Sequence, residues 1–314
     1  MKETVMDDAL IGTIVERRFV IDKVIGRGGI STVYKVKHLH ADIEACIKIL
    51  HSSYTSTEES VERFRREAAI TNAINHANVV HMLSYGVLRG ELERSEGFEP
   101  ETVKEPRPYL ILELLKGAGL DLIIKKGAIG QSQSLQITRA VLDALIVAHE
   151  MGIIHRDIKP SNVMIVESIS EMDQMYSDLP VAQVKLLDFG IAKCNACHDE
   201  EVQRLTQAGS IFGSPLYMSP EQCKGDELDQ RSDIYSLGCM LYEMLTGIPP
   251  YQGQNVMHTF AMHIYEQPRA FNELADMPAI NPQLEAIVMR CLAKDRQDRF
   301  QNGVELKQAL ASIY

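Results

Sequence analysis

Two strand-like runs separated by glycines form the first regular pattern in the chain. Residues 19–25 and 32–36 are rich in β-branched and aromatic side chains, and Gly26-Arg27-Gly28-Gly29-Ile30-Ser31 lies between them. Glycines at such a turn let backbone N–H groups approach a phosphate closely. Ser31 takes the place of the third glycine of a dinucleotide-binding fingerprint, and a strand follows instead of a helix, which excludes that type of site.

A strand and an amphipathic helix come next. Residues 44–50 form an apolar strand that contains Lys48, and a buried lysine is costly unless an anion neutralises it. Residues 57–74 are predicted to be a helix, with Glu67 beside its apolar stripe, 19 positions after Lys48. Glu67 is therefore the predicted partner of Lys48. The alternative is a lysine that faces outward from the strand.

Two more strands are predicted at residues 79–83 and 109–113. The acidic segment between them, residues 90–105, is longer than a hairpin loop needs. We interpret this segment as a solvated insertion without function. Helical patterns follow at residues 120–125 and 135–151, and Gly152 ends the second of them.

The most polar segment of the chain is His155-Arg156-Asp157-Ile158-Lys159-Pro160-Ser161-Asn162. Its polarity and its proline predict a loop, because neither a helix nor a buried strand tolerates both. The carboxylate of Asp157, the ammonium of Lys159 and the carboxamide of Asn162 lie at spacings of two and five. Together they could accept a hydroxyl proton, neutralise a phosphate and ligate a hard cation. The alternative is an ordinary surface turn.

A second candidate for cation binding follows a second acidic insertion at residues 167–183. The apolar run 184–187 ends at Asp188-Phe189-Gly190, which places a carboxylate at the end of a strand with a flexible glycine behind it. This triplet is common by chance and gains weight from its position after Asn162.

Composition limits the classes of partner and compartment. The 314 residues are 45% hydrophobic and 24% charged, as in an ordinary globular protein long enough for two packed lobes. The formal charge of −11 argues against a nucleic acid as partner. No apolar run approaches the length of about 18 residues that a membrane segment needs, and the first residues lack a signal-peptide core. Six cysteines are scattered without a disulfide framework, so we expect a cytoplasmic location.

In their order along the chain, these motifs resemble those of the protein kinases. The resemblance extends over roughly residues 13–312 and is strongest to the Hanks-type (eukaryotic-like) serine/threonine kinases of bacteria. It implies an α+β, bilobal fold with a small β-rich N-lobe that carries one helix and a larger, mainly helical C-lobe. The implied boundaries are a tail at 1–12 and a kinase domain at 13–314, with the N-lobe at about 13–113, the hinge at about 113–117 and the C-lobe at about 118–314.

The resemblance also implies roles for individual residues. Asp157 and Lys159 would act in phosphoryl transfer, Lys48 with Glu67 would hold the α/β-phosphates of ATP, and Ser214 would position Asp157 and Lys159. Asn162 and Asp188 would hold Mg²⁺, with Mn²⁺ as the alternative. The implied nucleotide contacts are Gly26, Arg27, Gly28, Gly29, Ile30, Ser31, Val33, Cys46, Lys48, Leu112, Glu113, Leu115 and Met164.

The segment at residues 191–218 resembles a kinase activation segment. By resemblance, Arg156 would hold it through a phosphate, with autophosphorylation at Thr206 first and Ser210 second, and self-association would accompany that reaction. The resemblance further implies that Asp233 braces the loop around Asp157.

Arg299 would pair with Glu221 in the same way. The alternative for this pair is a surface ion pair of little energetic value.

The sequence allows more than one interpretation of its function. Lys159 favours a serine/threonine kinase acting on protein substrates, and the rivals are a pseudokinase that binds nucleotide as a scaffold and a nucleotide-gated switch without turnover. Cys194-Asn195-Ala196-Cys197-His198 matches the attachment pattern of c-type haem. We favour two ordinary cysteines in a mobile loop over redox, zinc or haem chemistry.

Overall fold

The computed structural model describes residues 9–55, 58–166, 183–189, 214–274 and 279–313. The chain divides into two compact units, one formed by Met1–Asn75 with Val80–Leu115 and the other by His76–Val79 with Lys116–Tyr314. The first is built mainly of strands and the second mainly of helices. The predicted α+β class is therefore confirmed.

The first unit contains a six-stranded antiparallel sheet with the strand order β1-β2-β3-β4-β6-β5. Side chains such as Tyr34, Ile47 and Ile111 alternate onto one face of the sheet and form its core. The strands are β1 (Ile14–Val15), β2 (Phe19–Arg27), β3 (Ser31–His38), β4 (Glu44–Leu50), β5 (Met82–Glu91) and β6 (Thr102–Glu113).

Two helices connect β4 to β5, namely α1 (Ser52–Thr55) and α2 (Glu58–Ala73). Helix α2 buries Phe64, Glu67 and Ala68 at a spacing of three to four residues, which confirms the helix predicted over 57–74. Thr71 is also buried on this face.

The second unit surrounds the long helix α6 (Gln230–Thr246), which is buried along most of its length. This helix ends where Gly247 adopts a left-handed conformation with φ of +78°. A small sheet of β7 (Gly117–Gly119), β8 (Val163–Val166) and β9 (Gln183–Leu186) accompanies the helices. The helices are α3 (Leu120–Ile124), α4 (Gln131–Glu150), α5 (Pro220–Lys224), α6 (Gln230–Thr246), α7 (Val256–Tyr265), α8 (Pro282–Cys291) and α9 (Gly303–Ala311). Among the described residues, no helix combines the length and apolarity needed to cross a membrane.

Two details of the strand prediction are wrong. The strand predicted at 79–83 begins only at Met82, and Val79 instead forms an isolated parallel bridge with Leu186. The acidic segment 90–105 is not simply a solvated insertion, because β5 and β6 extend into it and Leu92 and Val103 are buried. Most residues of this segment are polar or charged, so the few apolar residues that pack against the sheet form no recognisable pattern.

The extended hairpin holds the residues that precede β1. The guanidinium of Arg94 donates to the carbonyl oxygens of Ala9 and Ile11 at 2.5 and 2.8 Å, and Thr13 forms an antiparallel bridge with Arg94. Leu10 is buried in the core of the sheet. Residues 9–12, placed in the predicted tail, are therefore part of the packed first unit.

Candidate active site

The glycine-rich turn lies between β2 and β3, as the sequence pattern predicts. Gly26 and Arg27 end β2 and Ser31 begins β3, so the turn itself consists of residues 28–30. The N–H of Gly28 donates to the carbonyl oxygen of Ser31 at 2.8 Å. A side chain added at Gly29 would meet no atom within 4 Å, which leaves this backbone open to approach by a ligand.

Lys48 and Glu67 form a buried ion pair in the first unit. Lys48 lies in the central strand β4, where it is opposite Val33 of β3 and Leu110 of β6. Its Nζ is 2.6 Å from Oε1 of Glu67 on α2, and only 9% and 7% of the two side chains are exposed. The structure thus brings together the two residues whose pairing the sequence predicts.

Two of the predicted nucleotide contacts, Cys46 and Leu112, lie on neighbouring strands of the same sheet. Cys46 of β4 is opposite Leu112 of β6, and the Cys46 thiol donates to the carbonyl oxygen of Glu113 at 3.5 Å. Cys46 and Leu112 are buried, whereas Leu115 is half-buried. These positions agree with a common apolar surface built by β4 and β6.

The polar loop of the second unit gathers its three predicted functional side chains at one carboxylate. Oδ2 of Asp157 accepts hydrogen bonds from Nζ of Lys159 at 2.7 Å and from Nδ2 of Asn162 at 3.2 Å. The same amide nitrogen of Asn162 donates to the Asp157 carbonyl oxygen at 2.8 Å. The loop therefore gathers a carboxylate, an ammonium and a carboxamide at one point.

Asp233 on α6 binds the backbone at the start of this loop. Its two carboxylate oxygens accept the N–H groups of His155 and Arg156, each at 2.8 Å, which confirms the bracing role expected for Asp233. His149 of α4, which the sequence analysis overlooked, lies with Nε2 2.8 Å from the same carboxylate.

The ring of His155 links the loop to the end of β9. Nε2 lies 3.1 Å from the carbonyl oxygen of Leu187, which only accepts, so Nε2 carries the proton and Nδ1 accepts the N–H of Asp157 at 3.3 Å. Burial lowers the pKa of His155, although the charges of Asp233 and Asp157 oppose that shift. A neutral ring is the form that this pair of hydrogen bonds requires.

The predicted metal ligands belong to the same unit. The N–H of Leu187 donates to the carbonyl oxygen of Asn162 at 2.8 Å, which fixes the start of β8 next to the residue before Asp188. Asp188 has a φ of +27°, in the left-handed region that Asp tolerates better than most residues. Nδ2 of Asn162 faces Asp157, so Oδ1 of Asn162 is the atom of this side chain that could ligate a cation. One amide oxygen and one carboxylate fit a hard cation such as Mg²⁺.

Phe189 fixes the segment behind Asp188. It is buried, and its ring centroid lies 4.7 Å from that of His155. Through this ring contact, His155 joins the polar loop to the segment of Asp188 and Phe189. Met164, predicted to contact the nucleotide, lies in β8 opposite Gly119 and Lys185 and is half-buried.

The predicted pairing of Arg299 with Glu221 is confirmed as a buried, bidentate ion pair. The two guanidinium nitrogens lie 2.7 and 2.8 Å from the two carboxylate oxygens. Ser232 donates to the same carboxylate at 2.7 Å. Burial alone would raise the pKa of Glu221, but the hydrogen bonds and charge of Arg299 outweigh it and lower the pKa. The surface-pair alternative is therefore wrong.

Several predicted residues lie outside the described part of the chain. These are Gly190, Cys194, Cys197, His198, Thr206 and Ser210. Ser214 opens a short 3₁₀ helix, Ser214–Tyr217. Within the described residues, no group of three or more His, Cys, Asp or Glu side chains could hold a metal.

Known proteins that resemble this chain are kinases. A family model described as "Protein kinase domain" matches residues 19–314. The probable serine/threonine-protein kinase PknB of Bifidobacterium longum is 36% identical over 305 residues, which cover 97% of this chain and 40% of that protein. PknB of Mycobacterium leprae is 33% identical over 298 residues, covering 95% of this chain and 43% of that protein. The chain thus spans about two fifths of the length of these relatives.

Solved structures support the same fold. A crystal structure of the Mycobacterium tuberculosis PknI kinase domain matches with a TM-score of 0.65 and 22% sequence identity. The match covers 96% of this chain and 97% of that domain. The likeness shows that this chain has the fold of that domain.

Proposed function

Because the chain belongs to the protein kinase domain family, we propose that it is a serine/threonine protein kinase. It transfers the γ-phosphate of ATP to Ser or Thr hydroxyls of protein substrates. The observation that carries this proposal is the cluster in which Lys159 and Asn162 both donate to the carboxylate of Asp157. A carboxylate held in this way is suited to orient a hydroxyl and accept its proton, and a lysine beside it is suited to neutralise the transferred phosphate.

The other site residues divide the remaining tasks. Lys48, oriented by Glu67, binds the nucleotide phosphates together with the open backbone of residues 28–30. The apolar surface around Cys46 and Leu112 packs against the adenine. A bound divalent cation would neutralise phosphate charge during transfer, and its ligands would be Asn162 and Asp188. Mg²⁺ is our first choice and Mn²⁺ the alternative, since both prefer oxygen ligands.

The domain boundaries predicted from the sequence belong to this proposal. The kinase domain comprises residues 13–314, with lobes at about 13–113 and about 118–314 and a hinge at about 113–117. Residues 9–12 of the preceding segment 1–12 also pack with its sheet. A cytoplasmic location, where ATP is available, completes the assignment.

Transfer of labelled phosphate from ATP to casein or myelin basic protein tests the reaction. We expect Asp157→Asn to lower turnover by about 10²–10⁴-fold, because general-base and orienting interactions have this magnitude. Asp188→Asn should show a loss of similar order and a changed dependence on Mg²⁺ and Mn²⁺. Asp226→Asn, at an exposed position of the same unit, is the matched control and should be as active as the wild type.

The rival scaffold function gives the opposite result. A wild-type protein that binds ATP but labels no acceptor above the Asp157→Asn background would overturn the proposal in favour of a pseudokinase. Near-normal turnover in Asp188→Asn would remove only the metal assignment.

We propose that autophosphorylation of the activation segment regulates the enzyme. The support is the position of Arg156 directly before Asp157, since a guanidinium can hold a phosphate through two hydrogen bonds. Thr206 is the first expected site and Ser210 the second. Transient self-association would bring these residues to the active site of another copy of the chain. Ser214 has a positioning role instead. Mass spectrometry after incubation with Mg-ATP should find phosphate at Thr206, and full activity of Thr206→Ala would contradict the proposal.

A further inference from the structure

The side-chain amide of Gln222 joins helix α5 to the loop that carries Asp157. Its Oε1 accepts the N–H of Ser219 at 2.9 Å, and its Nε2 donates to the carbonyl oxygen of Arg156 at 2.8 Å. The residue is 7% exposed, so water does not replace either hydrogen bond easily. One amide thus connects two segments that are 66 residues apart in the chain.

The backbone that receives this contact is strained. Arg156 has a φ of +67°, a left-handed conformation that costs a non-glycine residue free energy unless its surroundings impose it. Asp233 holds the N–H of Arg156 at 2.8 Å. Gln222 holds the carbonyl oxygen of the same residue from the other side.

Gln222 also restricts the orientation of the peptide group between Arg156 and Asp157. The peptide group between Arg156 and Asp157 consists of the Arg156 carbonyl and the Asp157 N–H. Gln222 donates to the first at 2.8 Å, and Nδ1 of His155 accepts from the second at 3.3 Å. Because the peptide is planar, hydrogen bonds at both of its ends oppose its rotation and so restrict the position of the Asp157 Cα.

We propose that Gln222 is a positioning residue for phosphoryl transfer, acting through the Arg156–Asp157 peptide on the orientation of the Asp157 carboxylate. This inference rests on the proposed kinase function. The neighbouring Glu221 is anchored by Arg299, and α5 follows the 3₁₀ helix Ser214–Tyr217 in the chain. Gln222 thereby connects α5, which lies just after the activation segment in the chain, to the loop of Asp157.

A purely structural role in capping α5 is the competing explanation. Gln222 completes a capping box with Ser219, whose Oγ accepts the Gln222 N–H at 3.3 Å. Glutamate serves equally well at this position of a capping box, because its carboxylate accepts the N–H of Ser219. An ionised glutamate cannot donate to the Arg156 carbonyl, whereas a protonated one can. Gln222→Glu therefore keeps the capping of α5 and removes the hydrogen bond to Arg156. That hydrogen bond returns only at low pH, where the glutamate is protonated.

The experiment compares Gln222→Glu with wild type and with Gln230→Glu between pH 6 and pH 8.5. Gln230 is the matched control, since its Nε2 donates to the carbonyl oxygen of Gln301 at 3.0 Å, away from the loop. We expect kcat of Gln222→Glu to be about tenfold lower than that of the wild type at pH 8, as for a buried carbonyl that loses its donor. The ratio to wild type should rise as the pH falls, with little change in the KM for ATP, while Gln230→Glu shows neither effect.

Hydrogen–deuterium exchange supplies a readout that does not need turnover. Peptides covering residues 153–162 should exchange faster in Gln222→Glu than in the wild type at pH 8, and at the wild-type rate in Gln230→Glu. A kcat ratio that is independent of pH, or unchanged exchange in this peptide, would overturn the positioning role. If the wild type transfers no phosphate but the exchange difference is present, the proposed kinase function fails and the role of Gln222 in holding the loop stands.

Discussion

Two buried ion pairs, one in each unit, differ in how their cations are used. Nζ of Lys48 lies 2.6 Å from Oε1 of Glu67. Arg299 meets Glu221 through two contacts, and its other donors reach the carbonyl oxygens of Ala293, Arg231 and Lys294 at 2.8–3.1 Å. All five N–H groups of this guanidinium are thus engaged.

The two pairs are buried to similar extents, with exposed side-chain fractions of 9% and 7% for the first and 0% and 6% for the second. Burial therefore does not distinguish the two pairs. The donor does, because an ammonium is a compact charge on a flexible stem, whereas a saturated guanidinium is fixed in one geometry. We infer that the second pair serves stability and the first serves the ligand.

The largest expected effect is on folding. Arg299→Met should lower the free energy of unfolding by about 3–5 kcal/mol, because it leaves the Glu221 carboxylate buried without its cation. Urea unfolding measures this loss. The control is Arg296→Met, whose ion pair with Asp229 is roughly one-third exposed on both sides and should be worth at most about 1 kcal/mol. Equal losses in the two variants would show that burial of the pair is not what matters.

The second prediction concerns the first pair. Lys48→Met should remain folded and lose phosphoryl transfer by about 10²–10³-fold, the size of one preorganised electrostatic contact in a transition state. The labelled-phosphate assay measures this loss. Lys35→Met, which removes a lysine paired with Glu44 on the same sheet, is the matched control and should retain activity.

Double substitutions sharpen the comparison. Lys48→Met with Glu67→Gln should recover most of the stability lost in the single variant, yet none of the transfer. Arg299→Met with Glu221→Gln should recover little stability, because three backbone carbonyls still lack their donor. Full recovery of stability in the second double variant would contradict the inferred role of Arg299.

The third prediction concerns the pH dependence of stability, to which His263 of the second unit contributes. Burial, assisted by the charge of Lys294, lowers the pKa of His263 to about 3 from its ordinary value of 6.5. Below pH 6.5 the unfolded chain binds a proton at this residue that the folded protein does not, so stability falls as the pH falls.

The expected slope from His263 is about 1.4 kcal/mol per pH unit well below pH 6.5. His263→Gln should flatten the measured dependence by this amount between pH 6 and pH 5. The exposed His258 of the same helix provides the matched substitution. An identical pH slope in His263→Gln and wild type would show that His263 is not held neutral.

The smallest expected effect concerns Arg94. Its hydrogen bonds within the described residues are to carbonyl and hydroxyl oxygens, and none of them is an ion pair with a carboxylate. Arg94→Met removes the hydrogen bonds to Ala9, Ile11 and Thr13 and should cost about 1–2 kcal/mol, given the value of individual hydrogen bonds. Exchange of amide protons in residues 9–15 should accelerate, and Arg89→Met, at an exposed position of β5, should leave it unchanged. Unaltered exchange would show that the extended hairpin does not hold this segment.

Local patterns in the sequence were sufficient for the fold class and for most of the contacts within motifs. The family and the α+β class are confirmed, and Lys48 pairs with Glu67 as the helical stripe of α2 predicts. Acidity misled the interpretation of segment 90–105, because Leu92 and Val103 are too few to produce a visible period. The assigned roles of the site residues stay predictions.

The sequence by itself determined the elements and the short-range motifs, since these depend on side-chain periodicity and on residues a few positions apart. The capping box of Ser219 and Gln222 could be read at that level. Only the tertiary structure decided that Gln222 reaches Arg156, that His149 reaches Asp233, and that Arg94 holds Ile11. These contacts join residues 66, 84 and 83 positions apart. No local pattern encodes them, because hydrogen bonds over such separations exist only after the packing of the core has brought the two segments together.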